Sequence, residues 1–126
     1  MNLYHFTDMA KLKTDGTILQ HGLLIPKEES EKRFYVAGIW LTANPDPACW
    51  WEKGSFEGQC RITVDIPKTD RRLRQCKAHL RGCPPIHDIM QRTSDAHGHK
   101  WEEWYFFFGN IRPKKFRAIH VVEVVQ

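Results

Sequence analysis

The run Trp104-Tyr105-Phe106-Phe107-Phe108 constrains the fold more than any other segment. Successive strand residues point to opposite faces, so an unbroken aromatic run can be buried only if both faces of its sheet are covered. With Glu103 before it and Gly109 after it, the pattern predicts a strand over 103–109, buried on both sides. Arg61 to Pro67 alternates strictly, placing Ile62, Val64 and Ile66 on one face of a second strand. Gly38-Ile39-Trp40-Leu41-Thr42 is a compact run of strand formers. Residues 2–6 read as a short opening strand, and Phe116 to Val125 as a closing strand or strand pair.

Helical signals are fewer. Thr7-Asp8 offers a cap for a helix over about 8–14. Gly16 interrupts that pattern, Ile18-Leu19 resumes it, and Gly22-Leu23 closes it. Lys27 to Arg33 is charged and reads as an exposed loop, and Asn44-Pro45-Asp46-Pro47 as a turn and helix start. Residues 70–80 fit a helix or a loop, and Pro85 to Lys100 carries no assignable pattern. Strand outweighs helix, so the fold class is α+β with an antiparallel or mixed sheet. At 126 residues, with 41% hydrophobic and 27% charged residues, the chain fits one ordinary globular domain.

Several function classes drop out. No apolar run is long enough to cross a bilayer, and Met1-Asn2-Leu3-Tyr4-His5 has no secretory pattern. The expected compartment is therefore the cytoplasm, with the cysteines at 49, 60, 76 and 83 as free thiols. Their spacings match no zinc motif, and His97-Gly98-His99 lacks nearby carboxylate or thiol ligands, so no metal is expected. The net charge of +4 comes largely from Arg71 to Lys77 with Arg81, and from Arg112 to Arg117. Such segments attract phosphates, and nucleic acid is one partner they suit; a solvated face without a partner is the plain alternative.

Three segments carry candidate chemistry: Leu3-Tyr4-His5-Phe6-Thr7, Gly38-Ile39-Trp40-Leu41-Thr42, and Trp101-Glu102-Glu103-Trp104-Tyr105-Phe106. In order and approximate spacing, His5, Trp40 and Glu103 resemble the His-Tyr-Glu branch of the ADP-ribosyltransferases. This is the branch of diphtheria toxin and the poly(ADP-ribose) polymerases. Gly22-Leu23-Leu24-Ile25-Pro26 is similar to a loop that follows the first helix in related proteins, and the whole looks like the smaller bacterial and phage members, including the DNA-modifying toxin branch. Trp40 stands where that family usually has Tyr.

The resemblance implies a split mixed or antiparallel sheet with few short helices. It also implies NAD⁺ as substrate, and transfer of ADP-ribose to a protein or nucleic-acid acceptor with release of nicotinamide. Residue by residue, His5 and Thr7 would orient the cofactor, and backbone groups of Phe6 would meet the nicotinamide amide. Flat rings of Tyr4 and Trp40 would stack on the pyridinium cation. Glu103 would stabilise the oxocarbenium-like sugar, as carboxylates do in glycosidases. Arg33 is a further candidate, for the pyrophosphate. Glu102 is the fallback for Glu103, because strand neighbours face opposite ways.

Plainer readings stand beside these. His5 suits an ordinary strand end, Trp40 a core position, and the two glutamates a solvated strand entrance paired with Lys100 or Arg112. Asp65 reads as surface, and His120 as a core or edge histidine. Two other functional classes remain: a non-catalytic NAD- or partner-binding module on the same fold, and an NAD-consuming enzyme like the RNA 2′-phosphotransferases.

Overall fold

Hydrophobic alternation and aromatic runs become a six-stranded sheet in the computed structural model, which describes residues 1–7, 17–25, 38–46, 60–97 and 101–121. The strands are β1 (Asn2–Thr7), β2 (Ile39–Thr42), β3 (Cys60–Asp65), β4 (Leu73–Gln75), β5 (Trp104–Phe107) and β6 (Phe116–Val121). They lie in the order β4-β5-β2-β1-β3-β6, and every neighbouring pair is antiparallel. The α+β class holds, and the choice between mixed and antiparallel resolves to antiparallel. The helices are α1 (Thr17–His21), α2 (Cys76–His79) and α3 (Pro84–His97), with single 3₁₀ turns at Leu80–Gly82, Trp101–Glu103 and Pro113–Lys115.

The register divides the side chains between two faces. Leu3↔Val64, His5↔Ile62 and Thr7↔Cys60 pair on one face of β1 and β3. That face carries an aliphatic core of Leu3, Ile39, Leu41, Ile62, Val64 and Phe107, capped by Ile18, Leu23, Ile66 and Ile111. Trp40↔Phe106 and Thr42↔Trp104 pair on the opposite face. There Phe6, Trp40, Trp104 and Phe106 meet Cys76, Leu80, Met90 and Trp101.

Closure of the aromatic face depends on α3, whose segment shows little apolar pattern. Pro84 and Pro85 sit in its first turn, where a missing N–H leaves no hydrogen bond unmade. Its inward stripe is only Ile86, Met90 and Ser94, of which Met90 and Ser94 are fully buried. Trp101 locks the helix down: its indole Nε1–H donates to Gln91 Oε1 at 3.0 Å, and its backbone N–H to Ser94 Oγ at 3.4 Å.

On the aliphatic face, Gly22 ends α1 with φ of 81°, a conformation that side chains with a Cβ rarely adopt. This turn lets Leu23 and Ile111 exchange backbone hydrogen bonds of 2.8 Å in both directions.

The strand expected over 103–109 begins at Trp104, with Glu103 in the turn before it. The segment 70–80 becomes β4 followed by α2, and 84–97 becomes a helix. The helix expected over 8–14, the loop 27–33 and His99 lie outside the described residues.

Candidate functional site

One feature of the sheet is local to β1 and β2. Their ladder holds a single pair, Tyr4↔Thr42, against six pairs between β1 and β3 and four between β2 and β5. Past Tyr4 the strands stop pairing, and the His5 ring reaches into the gap. Its Nδ1 lies 2.8 Å from the Trp40 carbonyl oxygen. A carbonyl only accepts, so Nδ1 carries the proton, and in the neutral ring Nε2 is thereby fixed as the acceptor.

His5 therefore meets Trp40 through its backbone. Alternation puts the imidazole on the aliphatic face of β1, whereas the Trp40 ring belongs to the aromatic face. That ring is 7% exposed and packs edge-on against Phe106, centroids 4.7 Å apart at 90°, and against Trp104 at 6.0 Å. Tyr4 is half-buried at the margin of the same cluster, with the Arg61 guanidinium 5.4 Å from its ring centroid. Phe6 and Thr7 are buried, at opposite faces of β1. Arg33 lies outside the described residues.

The two glutamates before β5 separate cleanly. Glu102 points to α2, where Lys77 Nζ donates to its Oε1 at 2.9 Å, and Gln75 Nε2 donates to its carbonyl at 2.9 Å. Lys77 is thus a partner of this carboxylate that the sequence did not suggest, and the expected partner Lys100 lies outside the described residues. Glu103 turns toward the end of β2. The Ala43 N–H donates to its carbonyl at 2.9 Å, continuing the β2–β5 ladder by one step, and Asn44 Nδ2 donates to its Oε2 at 3.1 Å.

Asn44 is the residue that the sequence left as a mere turn former. Its Oδ1 accepts the Asp46 N–H at 2.9 Å, which fixes the amide orientation and leaves Nδ2 for Glu103. The Asn44 N–H in turn donates to the buried Thr42 Oγ1 at 3.1 Å. An Asx turn directly after a strand, with Asp two residues on, was the available signal. Arg61 also went unremarked; its NH1 donates to the Pro45 carbonyl at 2.7 Å, tying β3 to the same turn.

Other candidates fall into quieter places. Cys60, Cys76 and Cys83 are free thiols, and burial pushes the Cys76 thiol up to about 12, which keeps it protonated and unreactive at neutral pH. His120 is exposed on the edge strand β6. Asp65 receives the Met1 amino group at 3.0 Å and Arg117 at 3.4 Å, which hold its carboxyl below the usual range, the amino group contributing most. Among the described residues no group of three or more His, Cys, Asp or Glu could hold a metal ion, and no helix is long and apolar enough to cross a membrane.

The arrangement thus brings three distant segments onto adjacent strands β1, β2 and β5. It offers one tautomer-fixed imidazole and one oriented carboxylate. No family model, curated protein or solved structure matches the chain.

Proposed function

We propose that the chain binds NAD⁺ where β1 and β2 part and transfers its ADP-ribose to a macromolecular acceptor, releasing nicotinamide. The observation that carries this reading is the 2.8 Å contact between His5 Nδ1 and the Trp40 carbonyl. It sets the tautomer in which Nε2 is the ring's acceptor, the role that a ribose hydroxyl requires of it. The gap is bordered by residues of both faces, so Tyr4 from the aromatic side and His5 from the aliphatic side suit one bent dinucleotide. Tyr4 is the stacking surface for nicotinamide, with Trp40 packed behind it; Phe6 contributes backbone groups, Thr7 its hydroxyl, and Arg33 a charge for the pyrophosphate.

In the reaction the bond between ribose C1′ and the nicotinamide nitrogen breaks, and its electron pair leaves with neutral nicotinamide. The acceptor's lone pair forms the new bond to C1′, and the acceptor's proton passes to solvent or a nearby base. Charge builds on the sugar before the new bond is complete. In this reading the Glu103 carboxylate, held by Asn44, stabilises that charge.

The test is nicotinamide release from NAD⁺ by purified protein, alone and with cell lysate, beside Glu103→Gln. An electrostatic role of this kind predicts a loss of roughly 100-fold or more in the variant, with NAD⁺ binding kept. Turnover that survives the substitution would sink the assignment of Glu103. A second reading, a module that binds NAD⁺ or a partner without turnover, is favoured by the packed state of the Trp40 ring. Saturable NAD⁺ binding without nicotinamide release from either protein selects that reading, and the absence of binding by folded protein rejects both.

A further inference from the structure

The two basic segments lie far apart in the chain, yet the fold lays them side by side. One is the connection from β3 to β4, with Lys68, Arg71 and Arg72; the other runs from β5 to β6, with Arg112, Lys114 and Lys115. Phe108 N–H donates to the Arg72 carbonyl at 2.8 Å, and the Arg72 side chain runs along Gly109. Lys115 is close enough to Asp70 to help hold that carboxyl ionised, and its own N–H donates to the Arg112 carbonyl at 2.9 Å. All six basic side chains are exposed.

Their charge is largely uncompensated. Asp70 is the sole acid on these two connections, and Arg72 already holds it through three hydrogen bonds, from its backbone N–H to Oδ1 at 2.9 Å, Nε to Oδ1 at 3.1 Å and NH2 to Oδ2 at 3.0 Å. Among the described residues Lys68, Arg71, Arg112 and Lys114 form no ion pair, and Lys115 acts on Asp70 only from beyond ion-pair distance. Turns fixed by backbone hydrogen bonds carry several of these cations, so little order remains to be imposed when a partner arrives.

We infer that these two connections together form a docking surface for the phosphodiester backbone of a nucleic acid. Repeated phosphates match an array of separate cations, each of which releases a condensed counterion on contact. A membrane surface is the weaker match, because stable anchoring there takes an apolar element beside the basic patch. Among the described residues the large exposed apolar ones are Leu19, Leu24, Ile89 and Ile119, and none lies on either connection. Arg72 and Gly109 sit past the Phe107 end of β5, whereas Glu103 precedes its Trp104 end. The surface therefore begins at the opposite end of that strand from the proposed catalytic carboxylate. The inference rests on charge placement alone and holds whether or not the chain consumes NAD⁺.

The test is binding of a fluorescently labelled DNA duplex to the full chain, without NAD⁺, across about 50 to 200 mM salt. The affinity should fall steeply with salt, with a log–log slope of about −3 to −5 if four or five phosphates are neutralised. R112A/K115A should weaken binding at least tenfold and reduce the slope by about 2. R81A/R92A removes the same charge from exposed positions on other elements and should leave the slope nearly unchanged. Matching melting curves for the two variants separate a lost contact from a lost fold. No binding at low salt, or equal losses in both variants, overturns the proposal. So does binding to phosphatidylcholine–phosphatidylserine vesicles without binding to the duplex.

Discussion

The two faces of the sheet solve the same burial problem with different chemistry. The aliphatic face is built from Leu3, Ile39, Leu41, Ile62 and Val64 on three strands, and branched side chains of the same kind, Ile18, Leu23, Ile66 and Ile111, close it from outside the strands. The aromatic face takes four rings from β1, β2 and β5, then needs Met90, Cys76, Leu80 and Trp101 from helices and turns to close it. Large rings leave irregular gaps that only matched partners fill, so the second face depends more on the shape of the residues that close it. Evolution of a site next to it is accordingly constrained: a change at Trp40 disturbs Phe106 and Trp104 before it disturbs any ligand.

The sharpest way to break this contrast is Phe106→Ala. Phe106 is fully buried and touches the rings of Trp40, His79 and Phe108, so the cavity should cost about 3–5 kcal/mol in urea unfolding. Ile62→Val, at an equally buried point of the other face, should cost about 0.5–1.5 kcal/mol. If both losses came out alike, the aromatic face would be no more dependent on matched packing than the aliphatic one.

The aliphatic face has its own weak point at Gly22. A Cβ there would strike the Ile111 backbone, and the φ of 81° is unfavourable for any residue that carries one. Gly22→Ala should therefore cost about 1–3 kcal/mol and loosen the Leu23–Ile111 bridge that closes this face. Gly82→Ala is the matched control, since nothing lies within 4 Å of its added Cβ. Equal urea midpoints for the two variants would remove the bridge from any account of how the aliphatic core is covered.

What the sequence discloses follows the same division. Ile62, Val64 and Ile66 alternate against a simple aliphatic face, so β3 is legible, and the run at 104–107 states its two-sided burial openly. Helix α3 hides because its inward stripe is one Met, one Ser and a half-buried Ile, with the missing apolar surface supplied by Trp101 from another element. Strand β4 hides because it is three residues long and places an exposed Arg74 on a sheet edge, a pattern that reads as loop. At the candidate site, the motif residues His5, Trp40 and Glu103 were visible as residue types in order. Their relations were not: no local pattern tells that His5 uses the Trp40 carbonyl, or that Asn44 selects Glu103 while Lys77 takes Glu102.

His5 tests the boundary between the faces more gently. It is the polar residue that the aliphatic side of β1 tolerates between Leu3 and Thr7, and its contact to Trp40 replaces ladder bonds that β1 and β2 do not make. His5→Ala should cost about 1 kcal/mol, within the usual range for one hydrogen bond. Loss of that bond should also speed amide exchange at residues 40–42, whereas Ile62→Val should leave those amides unchanged. Exchange that is equally slow in both variants would mean that β1 and β2 hold together without the imidazole.

The smallest effect belongs to Asp70, on the β3–β4 connection. Hydrogen bonds from Arg72 are the main cause that lowers its carboxyl pKa, with Lys115 adding a weaker pull in the same direction. Because the folded value lies below the unfolded one, the pair's contribution is fully present above the unfolded carboxylate range, near pH ~4. It is lost as pH falls through the depressed folded value. Arg72 is largely exposed, so solvent screens the pair and its contribution is small. Asp70→Asn should therefore lower stability slightly at neutral pH and match the parent protein in strong acid. The same substitution frees Arg72 and raises the positive charge of that connection, so duplex affinity should rise as stability falls. Affinity that instead dropped in step with stability would show that Asp70 serves the docking surface by shaping its turn, and that charge alone does not describe that surface.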